Sequence, residues 1–128
     1  MKLPKGWTQA KFNAFVKNGL RSLTLKWPPK HEVKKKARLK RGWYHCAMCG
    51  QEVSASTFME KGGKKKRVSN VFVDHISPVV DPHVGFVDWN TYIERMFCTE
   101  EGLQLLCRAC HDMKTKEEKS IARGRTKH

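Results

Sequence analysis

The chain has 128 residues, 39% of them apolar and 30% charged, and 26 Lys/Arg against 12 Asp/Glu leave a net charge of +14. That length allows one domain with an appendage, and so polar a composition leaves a thin core. No stretch reaches the roughly 20 apolar residues of a membrane helix, so a membrane role is excluded, and the basic excess calls for a polyanion, nucleic acid first.

The excess is uneven. Residues 1–45 carry 13 Lys/Arg against Glu32 alone, a net of +12, whereas residues 46–110 carry 7 against 8 and residues 111–128 carry 6 against 3. The polyanion should therefore meet the ends, chiefly the N-terminal one. A solvated basic tail is the plainer alternative.

Residues 8–25 read as an amphipathic helix capped by Thr8, with Phe12, Phe15, Val16, Leu20 and Leu23 as its apolar stripe. Lys11, Lys17 and Arg21 interrupt any leader-like run there, so no secretory signal is expected and a reducing cytoplasm is. Pro28-Pro29 stops this element and opens the next. Residues 30–41, with Lys34, Lys35, Lys36, Arg38, Lys40 and Arg41, read as a short basic helix with a poor apolar face.

Trp43-Tyr44-His45 reads as a strand running into Cys46-Ala47-Met48-Cys49-Gly50, a knuckle in which Gly50 lets the chain fold back. Gly62-Gly63, followed by Lys64, Lys65, Lys66 and Arg67, marks an exposed hairpin tip. Val68 to Asp74 alternates as a strand, and Pro78, Asp81, Pro82 and Gly85 mark a loop. Residues 88–97 read as a helix capped by Asp88, burying Trp89, Tyr92, Ile93, Met96 and Phe97. Leu103, Leu105 and Leu106 suggest another strand. From Cys110 a helix follows, fraying into a disordered basic tail over 119–128.

Cys46/Cys49 and Cys107/Cys110 are two Cys-x-x-Cys pairs, the spacing of tetrahedral zinc. A bound structural zinc contributes roughly 10–16 kcal/mol in small peptides, enough to offset a thin core. The 57 residues between Cys49 and Cys107 must hold structure of their own. Redox-active cysteines are the competing reading, without a thioredoxin-like context. His45 is a conceivable substitute ligand, though a plain strand histidine is the simpler role. Cys98 is left over, as a small buried hydrophobe.

Between the pairs stands Asp74-His75, and His111 follows Cys110 directly. Phosphodiester hydrolysis needs a divalent metal to neutralise charge and a base to take a proton from water. Asp74 and His75 are adjacent on an extended segment, so their side chains point to opposite sides: one can hold a metal while the other faces water. His111, at a helix start, can close the metal site. A structural role for both histidines is the alternative.

Asp74-His75-Ile76-x-Pro78, followed by Leu103-x-Leu105-Leu106-Cys107-x-x-Cys110-His111-x-x-Lys114-Thr115, resembles the HNH endonucleases, in particular the zinc-clipped type. The stretch Asp88-Trp89 to Phe97-Cys98 is similar to small phage-encoded members, including free-standing homing endonucleases. The likeness covers about residues 43–118. It implies a small α+β fold, a ββα-metal finger stapled by a four-cysteine zinc site, with a bacterial or phage-infected host cell as the setting. It implies that Asp74 and His111 bind the catalytic metal and that His75 is the general base, leaving 5′-phosphate and 3′-hydroxyl ends.

One position departs from the family, which has an asparagine nine residues before the final histidine, where this chain has Gly102. A backbone carbonyl could hold His75 instead, or Asn90 could, although Asn90 reads better as a surface helix position. Thr115 stands where some members have a further ligand. Two protein ligands completed by water and phosphate oxygens suit magnesium or manganese.

The expected organisation is a basic DNA-contacting extension over 1–42, a nuclease domain over 43–118 and the tail over 119–128. The likeness makes double-stranded DNA the expected partner. Segment 26–45 and Lys64–Arg67 would meet phosphates, with modest sequence specificity. One active site per chain implies a monomer that nicks one strand. The alternatives are a zinc-stabilised DNA-binding protein with weakened catalysis, which Gly102 favours, and an RNA-binding zinc protein.

Overall fold

Thr8 starts the first helix by accepting a hydrogen bond from Lys11 N, and α1 runs Gln9–Thr24. The computed structural model describes residues 1–125. The buried stripe of α1 is narrower than its periodicity suggests: Phe12, Val16 and Leu20 are half-buried, whereas Phe15 and Leu23 are exposed. Phe15 meets Trp7 edge-on at 5.5 Å, and Lys17 lies 4.8 Å from the centre of the Phe86 ring.

Helix α2 (Pro28–Ala37) opens on both prolines, whose missing N–H groups cost nothing in a first turn. It stops short of the expected residue 41. Arg38–Lys40 is instead β1, paired antiparallel with β2 (Trp43–His45) around Gly42, whose φ of +79° turns the chain back. Extending the helix would only have lengthened a run of like charges.

Strand β2 also pairs with β3 (Glu52–Ser54), and the Cys46–Cys49 knuckle joins them. β4 (Ser56–Lys61) and β5 (Lys64–Ser69) form a separate exposed ribbon. Its turn residues Gly62 and Gly63 both have positive φ, 58° and 75°, as the tightest hairpins require. The single strand expected over 68–74 is two strands. At Asn70 the chain changes partners: its N–H donates to Ala55 O at 2.9 Å and its amide to Ser54 O at 3.0 Å. β6 (Val71–His75) then pairs antiparallel with β7 (Leu103–Cys107). Alternation along the sequence is blind to such a switch, because both strands keep the same period.

Between β6 and β7 lies α3 (Trp89–Met96), capped by Asp88, whose Oδ1 accepts from Thr91 N at 2.7 Å. Tyr92 and Met96 are buried; Ile93, expected in the same stripe, is exposed. A 3-10 turn at Glu100–Gly102 leads into β7, and α4 (Arg108–Arg125) follows at once. This helix continues through the stretch from 119 that composition marks as a disordered tail, and Arg125 Nη1 donates to Pro82 O at 2.8 Å. Residues 126–128 of that tail lie outside the described residues.

β6, β7 and α4 thus make one unit, with α3 and the 3-10 turn inserted between its two strands. Its strands bury Val71, Leu103, Leu105, Leu106 and Cys107, and Leu106 and Cys107 cluster with Cys46 and Cys110. Helix α2 lies against β6, β7 and β2. Trp27, just before α2, donates from Nε1 to Cys98 O at 2.7 Å and meets Phe97 edge-on at 5.4 Å. Helix α2 and the Trp27 before it are therefore packed onto the unit. Among the described residues no helix is long and apolar enough to cross a membrane.

Candidate metal clip and candidate active-site cleft

The β2–β3 knuckle brings Cys46 and Cys49 against Cys107, which ends β7, and Cys110, in the first turn of α4. Gly50, with φ +72°, lets Gly50 N donate to Cys46 O at 2.9 Å, and Ala47 N donates to Leu105 O at 2.9 Å, fixing the knuckle to β7. The four Sγ atoms lie within 4.8 Å of one another, and Cys49 and Cys107 are 3.9 Å apart. A tetrahedron with zinc–sulfur bonds of about 2.3 Å has edges of about 3.8 Å.

The electrostatics agree with a cation at the centre. Burial raises the Cys46 thiol, but backbone N–H groups of Cys49, Cys107 and Met48 outweigh it and bring its pKa down to about 6. Cys110 is pushed up to about 12, first by burial and then by the other three sulfurs. Four thiolates so close require a positive charge among them. The four cysteines could hold a structural metal such as zinc. His45 is exposed and outside this cluster.

Asp74, His75 and His111 border one cleft of about 470 Å³, together with Lys30, Lys114 and Glu118. The split of Asp74 and His75 between opposite sides is incomplete, since both reach this cleft at the end of β6. His75 Nε2 lies 2.7 Å from Met96 O. A carbonyl can only accept, so Nε2 carries the proton, and in the neutral ring Nδ1 is left as the acceptor. A backbone carbonyl thus holds His75, while Asn90 stands exposed on α3. The His75 pKa is lowered, first by burial and then by Lys30 and Lys114, against the Met96 carbonyl and Asp74, which raise it.

Gly102 has its own constraint. A Cβ there would come within 2.9 Å of Cys98 Sγ and 3.2 Å of Cys98 Cβ, so the half-buried fifth cysteine fills the space of a side chain. Gly102 O accepts from Ile76 N at 2.9 Å, tying the chain just after His75 to the turn before β7.

His111 stacks on Phe72, with ring centres 4.5 Å apart. Its Nδ1 is buried without a hydrogen-bond partner among the described residues, and Asp112 Oδ1 is 3.8 Å away. Such an unspent nitrogen fits a metal ligand. Asp74 is differently placed: its Oδ2 is 2.9 Å from Lys114 Nζ and accepts a longer bond from Gln104 Nε2 at 3.4 Å. Lys114 also donates to His75 O and Glu118 Oε1, each at 2.8 Å. Burial opposes its charge, but Glu118 and Asp74 outweigh burial and hold its pKa above the ordinary value.

In the sequence Lys30 stands only within the basic segment 26–45 and Lys114 only within the quoted motif, neither with a role beside His75, and the carbonyl that could hold His75 is not assigned to Met96. His111, Lys114 and Glu118 share a helix face at three- and four-residue steps, so Lys114 could have been found by periodicity. Nothing in the sequence marks Lys30 or a carbonyl.

The basic residues expected to meet DNA divide in two. In the N-terminal group, Lys36 pairs with Glu100 at 3.0 Å and Lys40 with Glu52 at 3.6 Å, and Lys34 lies 5.7 Å from the Tyr44 ring centre. Lys35, Arg38 and Arg41 are exposed. In the ribbon, Lys64, Lys65, Lys66 and Arg67 are all exposed, with Lys65 over Phe58 and Arg67 donating to Ser56 Oγ at 3.0 Å.

No family model matches this chain, and neither a curated protein nor a solved structure does.

Proposed function

We propose that the chain is a metal-dependent DNA endonuclease of the HNH type that nicks one strand of duplex DNA. The observation that carries this reading is the shared cleft of Asp74, His75 and His111, in which a strand and a helix bring their candidate groups to a single space. His75, with Nε2 tied to Met96 O, would take a proton from water at Nδ1. Its lowered pKa supports a neutral ring near pH 7. Asp74 and His111 would hold magnesium or manganese, which when bound neutralises phosphate charge and stabilises the leaving 3′ oxygen. Lys114 would then keep Glu118 and the His75 carbonyl as partners while yielding Asp74. The four-cysteine site would carry structural zinc.

A second reading rests on the Asp74–Lys114 contact itself. An ammonium already on the carboxylate supports a zinc-stabilised protein that binds DNA without cutting it. Supercoiled plasmid incubated with zinc-loaded protein and magnesium or manganese separates the two. The endonuclease reading expects nicked circles, and a drop of about 10²–10⁴ in rate for His75→Ala. Binding without nicks in either metal gives the second reading, and a His75→Ala variant as fast as the parent removes the endonuclease reading.

A further inference from the structure

The cleft and the space beside it are walled by Arg21, Lys30 and Lys34, the last of them the first residue of the exposed N-terminal lysine run. We propose that Arg21, Lys30 and Lys34 form a phosphate track that seats one strand of duplex DNA along the cleft, with Lys30 nearest the reacting groups. The inference rests on the endonuclease reading for what happens at that strand, but its own observations are geometric.

Lys30 borders two adjoining spaces. One, of about 470 Å³, contains Asp74, His75 and Arg21; the other, of about 320 Å³, contains Lys34 and His31. His111 borders both. Leu25 and Val73 border both as well, so the two spaces adjoin along Lys30, with Arg21 on the first and Lys34 on the second. Lys30 and Lys34 are one turn apart on α2, a rise of about 6 Å, close to the step between successive phosphates of a strand. Arg21 comes from the last turn of α1. The wall is thus built by the segment whose charge is most one-sided.

Lys30 is the strongest member because its charge is poorly compensated. It is half-buried, and its Nζ donates to Thr24 Oγ1 at 3.1 Å. Thr24 is itself buried, with its hydroxyl donating to Arg21 O at 2.7 Å, so the oxygen that holds Lys30 is fixed. Among the described residues no carboxylate is ion-paired with Lys30. The two acids of the cleft, Asp74 and Glu118, are both held by Lys114. Burial lowers the Lys30 pKa, against raising effects of Cys98 and Asp74. An ammonium drawn out of water with two of its three donors uncommitted is stabilised by an arriving anion. Phosphate is the anion that a +14 chain attracts.

The test is the salt dependence of binding, read without cleavage. The full zinc-loaded chain is titrated with a short labelled duplex, with no other divalent metal, across a range of salt. Each phosphate contact removed should flatten the slope of log K against log salt by about 0.9. Lys30→Met, Lys34→Met and Arg21→Met should each lose about that much, and the triple variant their sum. Lys116→Met and Lys119→Met, on the other face of α4, should leave the slope unchanged. An unchanged slope in the triple variant overturns the track, and so does an equal loss in the α4 variants, since the effect would then be diffuse charge. If Lys30→Met loses zinc or cooperative unfolding, the pair Arg21→Met/Lys34→Met carries the same test. A flattened slope in a protein that nicks nothing would sink the endonuclease reading and leave the track standing. Nicking with an unchanged slope would do the reverse.

Discussion

The metal clip and the cleft share one element, α4, which carries Cys110 and His111 side by side, yet they are built by opposite means. The clip takes four identical ligands, two from each of two tight local turns, and buries three of them. The cleft takes different groups from distant places: a carboxylate and a ring from β6, a ring and an ammonium from α4, a carbonyl from α3 and a second ammonium from α2. A clip of this sort folds the chain, and its geometry follows from spacing alone. The cleft inherits its geometry from the fold and has little stability of its own to contribute. Changes in the clip should cost the whole structure, whereas changes in the cleft should cost chemistry and leave the structure.

The largest effect should come from the clip. Cys46 is completely buried and also accepts a bond from Cys107 N at 3.3 Å. With the core reduced to a few leucines, a structural zinc held there would supply a share of stability on the order of 10 kcal/mol, comparable with the net stability of a whole domain. Cys46→Ala, or chelation of the parent, should abolish cooperative thermal unfolding and near-ultraviolet circular dichroism together. A variant that remains folded without bound zinc would show that the leucine core suffices.

His75→Ala should lie at the other pole of the comparison. The ring is half-buried and its hydrogen bond goes to a carbonyl, so stability should fall by only about 1–3 kcal/mol, the cost of leaving that carbonyl unpaired. Zinc content should not change. The nicking rate should drop by the factor expected for a lost general base. Urea unfolding and plasmid nicking on the same preparation make the comparison. Zinc loss in this variant would join the two sites into one structural unit.

Legibility follows the same division. The Cys-x-x-Cys pairs announced their cluster because ligand type and spacing are both written in the chain. Thr8 and Asp88 announced the helices they cap, and Gly62-Gly63 the ribbon turn. What the sequence could not show were events between distant segments. The partner change at Asn70 leaves the alternation intact. Arg38–Lys40 turned extended because Gly42 and β2 gave it a pairing partner. Phe15 and Leu23 kept helical spacing although nothing covers them fully. In the cleft, Asp74, His75 and His111 were found by residue type, but the group that holds His75 is a backbone carbonyl, which every residue possesses and no motif can mark.

Gly102 sharpens the comparison at the His75 end of β7, the end away from the clip. Its missing side chain reads from sequence as a defect in the catalytic motif, yet Cys98 occupies the space. Gly102→Asn should therefore destabilise through overpacking, by about 1–3 kcal/mol, and should not improve nicking. Cys98→Ala removes the sulfur that the new Cβ would strike. The double variant Cys98→Ala/Gly102→Asn should recover much of the loss, with a coupling of about 0.5–3 kcal/mol in a double-mutant cycle by urea unfolding. Additive losses would mean that the glycine is needed for a reason other than the cysteine.

The smallest effect concerns protons. Burial, assisted by Lys30 and Lys114, sets the folded pKa of His75 below its ordinary value near 6.5. The folded state therefore binds this proton more weakly than the unfolded chain does. The stability associated with the neutral ring is full above the unfolded pKa and is lost as pH falls from there toward the folded one. A metal held by the four cysteines would be lost to acid as well, so the parent curve alone would mix two causes. His75→Gln separates them, because the clip is the same in both proteins. The stability difference between parent and His75→Gln, followed by urea midpoint from pH 8 to pH 5, should move against the parent as pH falls below about 6.5. A difference that stays flat would place the ring in water-like surroundings, and one that moves in the parent's favour would mean that Asp74 governs the proton more than burial and the two lysines do.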